Sequence, residues 1–206
     1  MIIYDQLLTI DDVKVPYKSE RKLRLLACAL WRERMYGRHE LTPEEVESGW
    51  RLVNLTEAAD GVLPVKVENQ PELICYDPVW LPIRACGSFP GKYWITNLAN
   101  NFACDRSWKQ YDCSPRYENR MRRAAEIIED TCRFAGQPRI DHCGVILAID
   151  CYQQRIDCGR MNPTNLSILA DYLEDNSNCP EMITSLRENR ARYRGYWVID
   201  SILGKS

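Results

Sequence analysis

Much that would announce an activity is missing from this sequence. It has only two histidines, His39 and His142, so histidine-based metal or proton chemistry has few anchors. No apolar run reaches the roughly 18 residues of a membrane span, and no membrane partner is expected. Met1-Ile2-Ile3-Tyr4-Asp5 is not a basic segment leading into an apolar stretch; no signal peptide is read there, and the cytoplasm is the expected location. There is no Gly-x-Gly-x-x-Gly stretch and no glycine-rich loop ending in Lys-Ser/Thr to cradle a phosphate. No serine sits in a nucleophile elbow. The formal net charge of −2 lacks the basic excess with which a DNA coater displaces counterions. A local basic patch remains compatible with that balance.

Cysteine is the opposite case: the chain has ten. A structural zinc site draws on cysteines separated by about two to four residues, and the closest spacings here are Cys151 to Cys158, Cys143 to Cys151 and Cys104 to Cys113. No metal and no cofactor is therefore expected. With no export signal read, and with 206 residues able to form a core without staples, reduced and mainly buried thiols are expected rather than disulfides. Asp141-His142-Cys143-Gly144 has the residue types of an activated thiol, but the pattern reads as a turn before a core element. No catalytic residue is assigned.

A content of 45% hydrophobic and 27% charged residues suits one folded domain. Residues 1–17 read as a docked arm. Ser19 is a good N-cap, and Leu23, Leu26, Ala27 and Leu30 then recur on one helical face. Arg21, Lys22, Arg24, Arg32 and Arg34 occupy the other face, and Gly37 is the expected stop. Thr42-Pro43-Glu44-Glu45 is a capping box opening a second helix through Val46, Trp50 and Val53. From about Leu63 to Cys113, five prolines forbid a long helix. This stretch reads as an irregular insertion with room for a small β-hairpin, pinned by Trp80, Trp94 and Trp108, which are candidate binding residues.

Ser114-Pro115 opens a third helix with Tyr117, Met121, Ala124, Ala125, Ile128 and Cys132 on its buried face, ending at Gly136. Val145–Tyr152 fits helix or strand by pattern alone. After Asn162-Pro163, Leu166, Leu169, Ala170 and Leu173 repeat the helical stripe. Asp171, Glu174 and Asp175 read as its solvated face. Pro180 starts a short helix, and Tyr196–Leu203 closes the chain with Gly204 as a stop. The expected fold is mainly α: a single domain over 1–206, with a helical frame at 18–62 and 114–206 and an insertion at about 63–113. Between the last two helices, Arg187, Arg190, Arg192 and Arg194 interleave with Tyr193, Tyr196 and Trp197. Arginines mixed with aromatics clamp phosphates and stack on bases, so Arg187, Arg190, Arg192, Tyr193 and Arg194 are candidate binding residues for RNA or DNA.

Two segments resemble a known family when taken together. One is Ser19-Glu20-Arg21-Lys22-Leu23-Arg24-Leu25-Leu26-Ala27-Cys28-Ala29, followed by Ala58-Ala59-Asp60-Gly61. The other runs Ile168-Leu169-Ala170-Asp171-Tyr172-Leu173-Glu174-Asp175, then Cys179, then Arg194-Gly195-Tyr196-Trp197-Val198-Ile199-Asp200, to Leu203-Gly204-Lys205. The pairing resembles a paralogous family of uncharacterised planctomycete proteins. An Arg-Lys-Leu-Arg-Leu helix opens that domain, and Ala-Asp-x-Leu-Glu and Arg-Gly-x-Trp-Val-x-Asp segments close it. The likeness covers roughly 18–62 and 144–206. It departs at Leu30-Trp31 and at Tyr196, where the family carries cysteines, and the proline-rich middle has no counterpart. It implies a helical cytoplasmic domain, favours helix for Val145–Tyr152, and implies varied partners rather than one fixed reaction. The resulting expectation is an adaptor or regulatory protein-binding module whose insertion selects its protein partner. The alternative is a nucleic-acid-associated protein using the C-terminal arginine/aromatic patch.

Overall fold

The computed structural model describes residues 20–35, 43–58, 115–133, 135–156 and 159–205. They form α1 (Glu20–Met35), α2 (Pro43–Ala58), α3 (Pro115–Cys132), α4 (His142–Gln153), α5 (Pro163–Asn176), α6 (Pro180–Arg187) and α7 (Trp197–Ile202). The domain is mainly α, and the described residues contain no β-strand, only an isolated antiparallel bridge between Arg155 and Met161. The arm at 1–17, the insertion at 63–113 with its expected hairpin, and Trp80, Trp94 and Trp108 lie outside the described residues.

The helix starts follow local chemistry. Asn162 accepts a hydrogen bond from the Thr164 amide at 2.9 Å, and Pro163 takes the first helical position, where its missing N–H costs nothing. Asp141 caps α4 by accepting from the Gly144 amide at 3.0 Å. Val145–Tyr152 is therefore helical. Its antiparallel seat against α5 is close: a Cβ on Gly144 would lie 2.8 Å from the Tyr172 ring and 2.3 Å from Ile140 Cγ2. At the other end of the pair, Asn165 donates to Gln154 at 3.2 Å. After α7, Gly204 takes a positive φ of 64°, the left-handed stop that glycine adopts without strain.

The stripe Leu166, Leu169, Ala170 and Leu173 is fully buried. It joins Ala148, Cys151, Met161, Met182, Leu186 and the whole of Trp197–Ile199 in one core. α4 packs on α5 and α7, α5 on α6, and α7 also on α3. α1 packs on both α2 and α3. Two details depart from the sequence reading. First, α1 is buried around its whole girth from Leu25 to Arg32, because α2, α3 and the C-terminal segment enclose it, so its expected basic face does not meet solvent at Lys22 or Arg32. Second, α3 stops at Cys132 rather than Gly136; Arg133 leaves the helix and lays its guanidinium over the Trp197 ring at 4.3 Å.

Candidate functional site

The arginine/aromatic run singled out in the sequence forms a strap, residues 188–196, between α6 and α7. It crosses α1, α2 and α3. Gly195 makes the closest approach: its φ is +89°, and an added Cβ would lie 3.1 Å from Leu25 Cβ on α1 and 3.0 Å from Thr131 on α3. Lys22 on α1 donates to the Gly195 carbonyl at 2.7 Å. Tyr193 donates to Glu33 on α1 at 2.5 Å. Arg194 donates to the Glu57 carbonyl on α2 at 2.5 Å. Arg123 on α3 donates to the Ala191 carbonyl at 3.0 Å. The Met161 amide donates to the Arg192 carbonyl at 2.8 Å, which ties in the loop after α4.

Arg192 is the centre of this strap and is only 1% exposed. Its guanidinium pairs with buried Asp130, donates to the Ser185 carbonyl at 2.7 Å and to Glu188 at 2.7 Å, and lies over the Tyr196 ring at 4.7 Å. A phosphate in solvent does not reach it. Tyr193, Tyr196 and Trp197 are buried as well, so they offer no stacking face to a base. Arg190 is partly buried and pairs with Asp130 at 3.3 Å and Glu188 at 2.6 Å. Arg187 is exposed and pairs with Asp171 and Glu174 of α5. Arg133, also at the surface, meets Glu181 at 2.7 Å. The structure thus gathers the C-terminal candidates into one cluster, with Arg187 most open to solvent.

Two further ion-pair centres hold the same side of the molecule. Glu57, 1% exposed, takes both ends of the Arg32 fork at 2.9 Å and also pairs with Arg155. Gly159 lies flat on that guanidinium; a Cβ there would be 2.3 Å from Arg32 Cζ. Asp200, 2% exposed, pairs with Arg21 at 2.7 Å and Lys22 at 2.5 Å. Arg194 reaches the Glu57 carbonyl in the last turn of α2 and lies over the Tyr152 ring at 5.0 Å.

Burial tunes these groups. It pushes the Asp130 carboxyl from 3.8 up to about 6, against the opposing pull of Arg192 and Arg190. Burial also raises Glu33, but the Tyr193 hydroxyl and Arg123 outweigh it and hold that carboxyl below its ordinary range. The Asp130 shift has a definite sign. The folded state takes up its proton more readily than the unfolded chain, so this stabilising contribution is complete below about pH 4 and is lost as pH rises through about 6. Moving from 3.8 to about 6 corresponds to on the order of 3 kcal/mol. Relative to Asp130→Asn, the natural protein is expected to lose stability between pH about 4 and about 6, read as urea midpoints at each pH. A constant difference between the two proteins would contradict the shift.

Burial pushes the Cys132 and Cys151 thiols up to about 12, which keeps them protonated near neutral pH. Cys143 and His142 are exposed at the start of α4, and Asp141 beside them is engaged by the Gly144 amide and the Tyr172 hydroxyl. Among the described residues, no group of three or more His, Cys, Asp or Glu is placed to hold a metal ion. No described helix is long and apolar enough to cross a membrane.

The sequence reading missed a different feature. Four large hydrophobic side chains stand exposed among the described residues: Ile146, Ile149, Ile156 and Ile168, between 37% and 48% accessible. All four belong to the α4–α5 hairpin. The signal was available in the sequence, since Ile146 and Ile149 fall off the buried stripe of α4 and Ile168 off that of α5. Compared with protein-family models, curated proteins and solved structures, the chain matches none.

Proposed function

We propose that the chain is a protein-binding module that docks its partner on the outer face of the α4–α5 hairpin. One observation carries this reading: Ile146, Ile149, Ile156 and Ile168, the large hydrophobics seen exposed where side chains are described, are all isoleucines of that hairpin and its connecting loop. Single exposed apolar side chains are ordinary on a protein surface, but several gathered on one supersecondary unit are what a docking face requires. The reading moves the binding surface from the insertion, where Trp80, Trp94 and Trp108 stand, to a rigid helical frame. Kinship with the planctomycete family and a cytoplasmic location accord with it and are proposed on the two segments quoted above.

Nucleic-acid association is a second reading, and the gathering of the C-terminal Arg/Tyr/Trp cluster favours it. The groups on which it rests are Arg187, Arg133 and the outer part of Arg190. Binding would then be to phosphate alone, with the aromatic rings inside the fold, and strongly salt-dependent. An Arg190/Arg192/Arg194 triple alanine variant is a poor test, because it removes the strap's anchors along with the basic groups.

The discriminating experiment retains partners of the tagged chain from native-host extract, with and without nuclease. It compares the natural protein with Ile149→Glu/Ile168→Glu and with Arg133→Ala/Arg187→Ala. The expected result is a protein partner that survives nuclease, is lost with the isoleucine pair and persists with the arginine pair. Material that vanishes with nuclease and with the arginine pair, while the isoleucine pair has no effect, overturns the first reading in favour of the second.

A further inference from the structure

α4 reads His-Cys-Gly-Val-Ile-Leu-Ala-Ile-Asp-Cys-Tyr-Gln and α5 reads Pro-Thr-Asn-Leu-Ser-Ile-Leu-Ala-Asp-Tyr-Leu-Glu-Asp-Asn. Neither helix contains a lysine or an arginine. Their charged residues are Asp150, Asp171, Glu174 and Asp175, with Asp141 added at the α4 cap. In a chain with 27 Lys+Arg against 29 Asp+Glu, two adjacent helices with acids alone make a local imbalance.

The antiparallel register sets the acids and the exposed isoleucines at matching heights along the two helices. Gly144 lies level with Tyr172, and Gln154 level with Asn165, so Ile168 stands opposite the middle of α4. On α5, Ile168 shares the outer face with Asp171 and Asp175, three and seven residues on, all exposed. On α4, Ile146 and Ile149 stand beside half-buried Asp150. Arg187 of α6 answers Asp171 and Glu174, leaving Asp150 and Asp175 on the isoleucine side. The flanking Arg139 and Arg155 lie beyond the helix ends, and Arg155 is drawn to Glu57.

We infer that this face receives a basic amphipathic helix of a partner protein. Apolar side chains at one-turn spacing would seat against Ile146, Ile149 and Ile168, and lysines or arginines at the rim would face Asp150 and Asp175. Helix-on-helix docking of this kind takes its affinity from the apolar stripe and its selectivity from the flanking charges. The inference rests on the protein-binding reading and adds to it the chemistry of the partner.

The test uses the full chain and a labelled Leu/Lys peptide of about 18 residues, long enough for five turns of helix, followed by fluorescence anisotropy. A Leu/Glu peptide with the same leucine spacing is the control. The Lys peptide is expected to bind and the Glu peptide not. Ile149→Ala/Ile168→Ala is expected to weaken the Lys peptide at least roughly tenfold. Asp150→Asn/Asp175→Asn is expected to weaken it severalfold at low salt and little at high salt. All four positions are at least partly exposed, so unchanged circular dichroism and melting in the variants keep the comparison valid. Equal binding of the two peptides, or binding indifferent to all four substitutions, overturns the inference. So does a single-stranded RNA that competes for the face and is lost with the same isoleucines. If the extract yields an isoleucine-dependent protein partner while the Lys peptide fails, the partner's chemistry is wrong and the protein-binding reading stands. If both fail, both fall.

Discussion

Replacing Arg192 with alanine is expected to destabilise the domain by roughly 3–5 kcal/mol, the usual cost of stripping one partner from a buried ion pair. In a chain of this size that is a fall in Tm of roughly 6–20 °C. Four contacts go at once: the Asp130 pair, the Glu188 pair, the Ser185 carbonyl and the Tyr196 ring. The largest component is what stays behind. Asp130 remains buried with only the longer 3.3 Å contact to Arg190, and a carboxylate in that setting is costly to keep charged. Two contrasts separate this account from a simple loss of packing. The penalty should shrink near pH 5, where Asp130 takes up a proton, and it should shrink in the double variant Arg192→Met/Asp130→Asn. Arg187→Ala, which removes an exposed arginine from the same run, should leave the melting midpoint essentially unchanged. A penalty equal at pH 5 and pH 8 would mean that the buried carboxylate is not its source.

These contrasts bear on how much of the molecule its sequence disclosed. Where one rule decided the outcome, the reading held. Asn162-Pro163 began a helix, Leu166, Leu169, Ala170 and Leu173 formed its buried stripe, and Gly204 took a left-handed stop. Each is settled within a few residues by capping, periodicity or a forbidden φ. The arginines were different. Arg187, Arg190, Arg192 and Arg194 look alike in the chain. Which one reaches solvent depends on where Asp130, Glu57 and Glu174 stand, and those lie between 13 and 137 residues away in their respective pairs. The same holds for Lys22 and Arg32, whose polar face became an interior face once α2, α3 and the strap closed around α1. The isoleucine face was half legible: period showed that Ile146, Ile149 and Ile168 fell off the core stripes, but only the antiparallel register of α4 and α5 sets Ile168 opposite the middle of α4.

Asp200→Ala is the second large effect, expected to cost roughly 3–5 kcal/mol, and its pH behaviour identifies the group responsible. Asp200 lies in α7, 2% exposed, and receives Arg21 and Lys22 from α1, so it clasps the last helix to the first. Arg21 retains some access to solvent; Lys22 does not. Burial already holds the Lys22 ammonium below its usual range, and Asp200 is the main group opposing that fall. Without Asp200 the folded state prefers Lys22 neutral more strongly. For a lysine whose folded value lies below its unfolded one, stability is gained as pH rises from the folded value toward the unfolded one of about 10.4. The deficit of Asp200→Ala is therefore expected to narrow as pH rises toward the unfolded lysine value, measured as paired urea midpoints. Lys22→Met should act in the same direction at neutral pH. The double variant Asp200→Ala/Lys22→Met should be less destabilised than the two single effects summed, because it leaves no unpartnered buried ammonium. Strict additivity, together with a deficit that does not change with pH, would show that the clasp works through shape rather than charge.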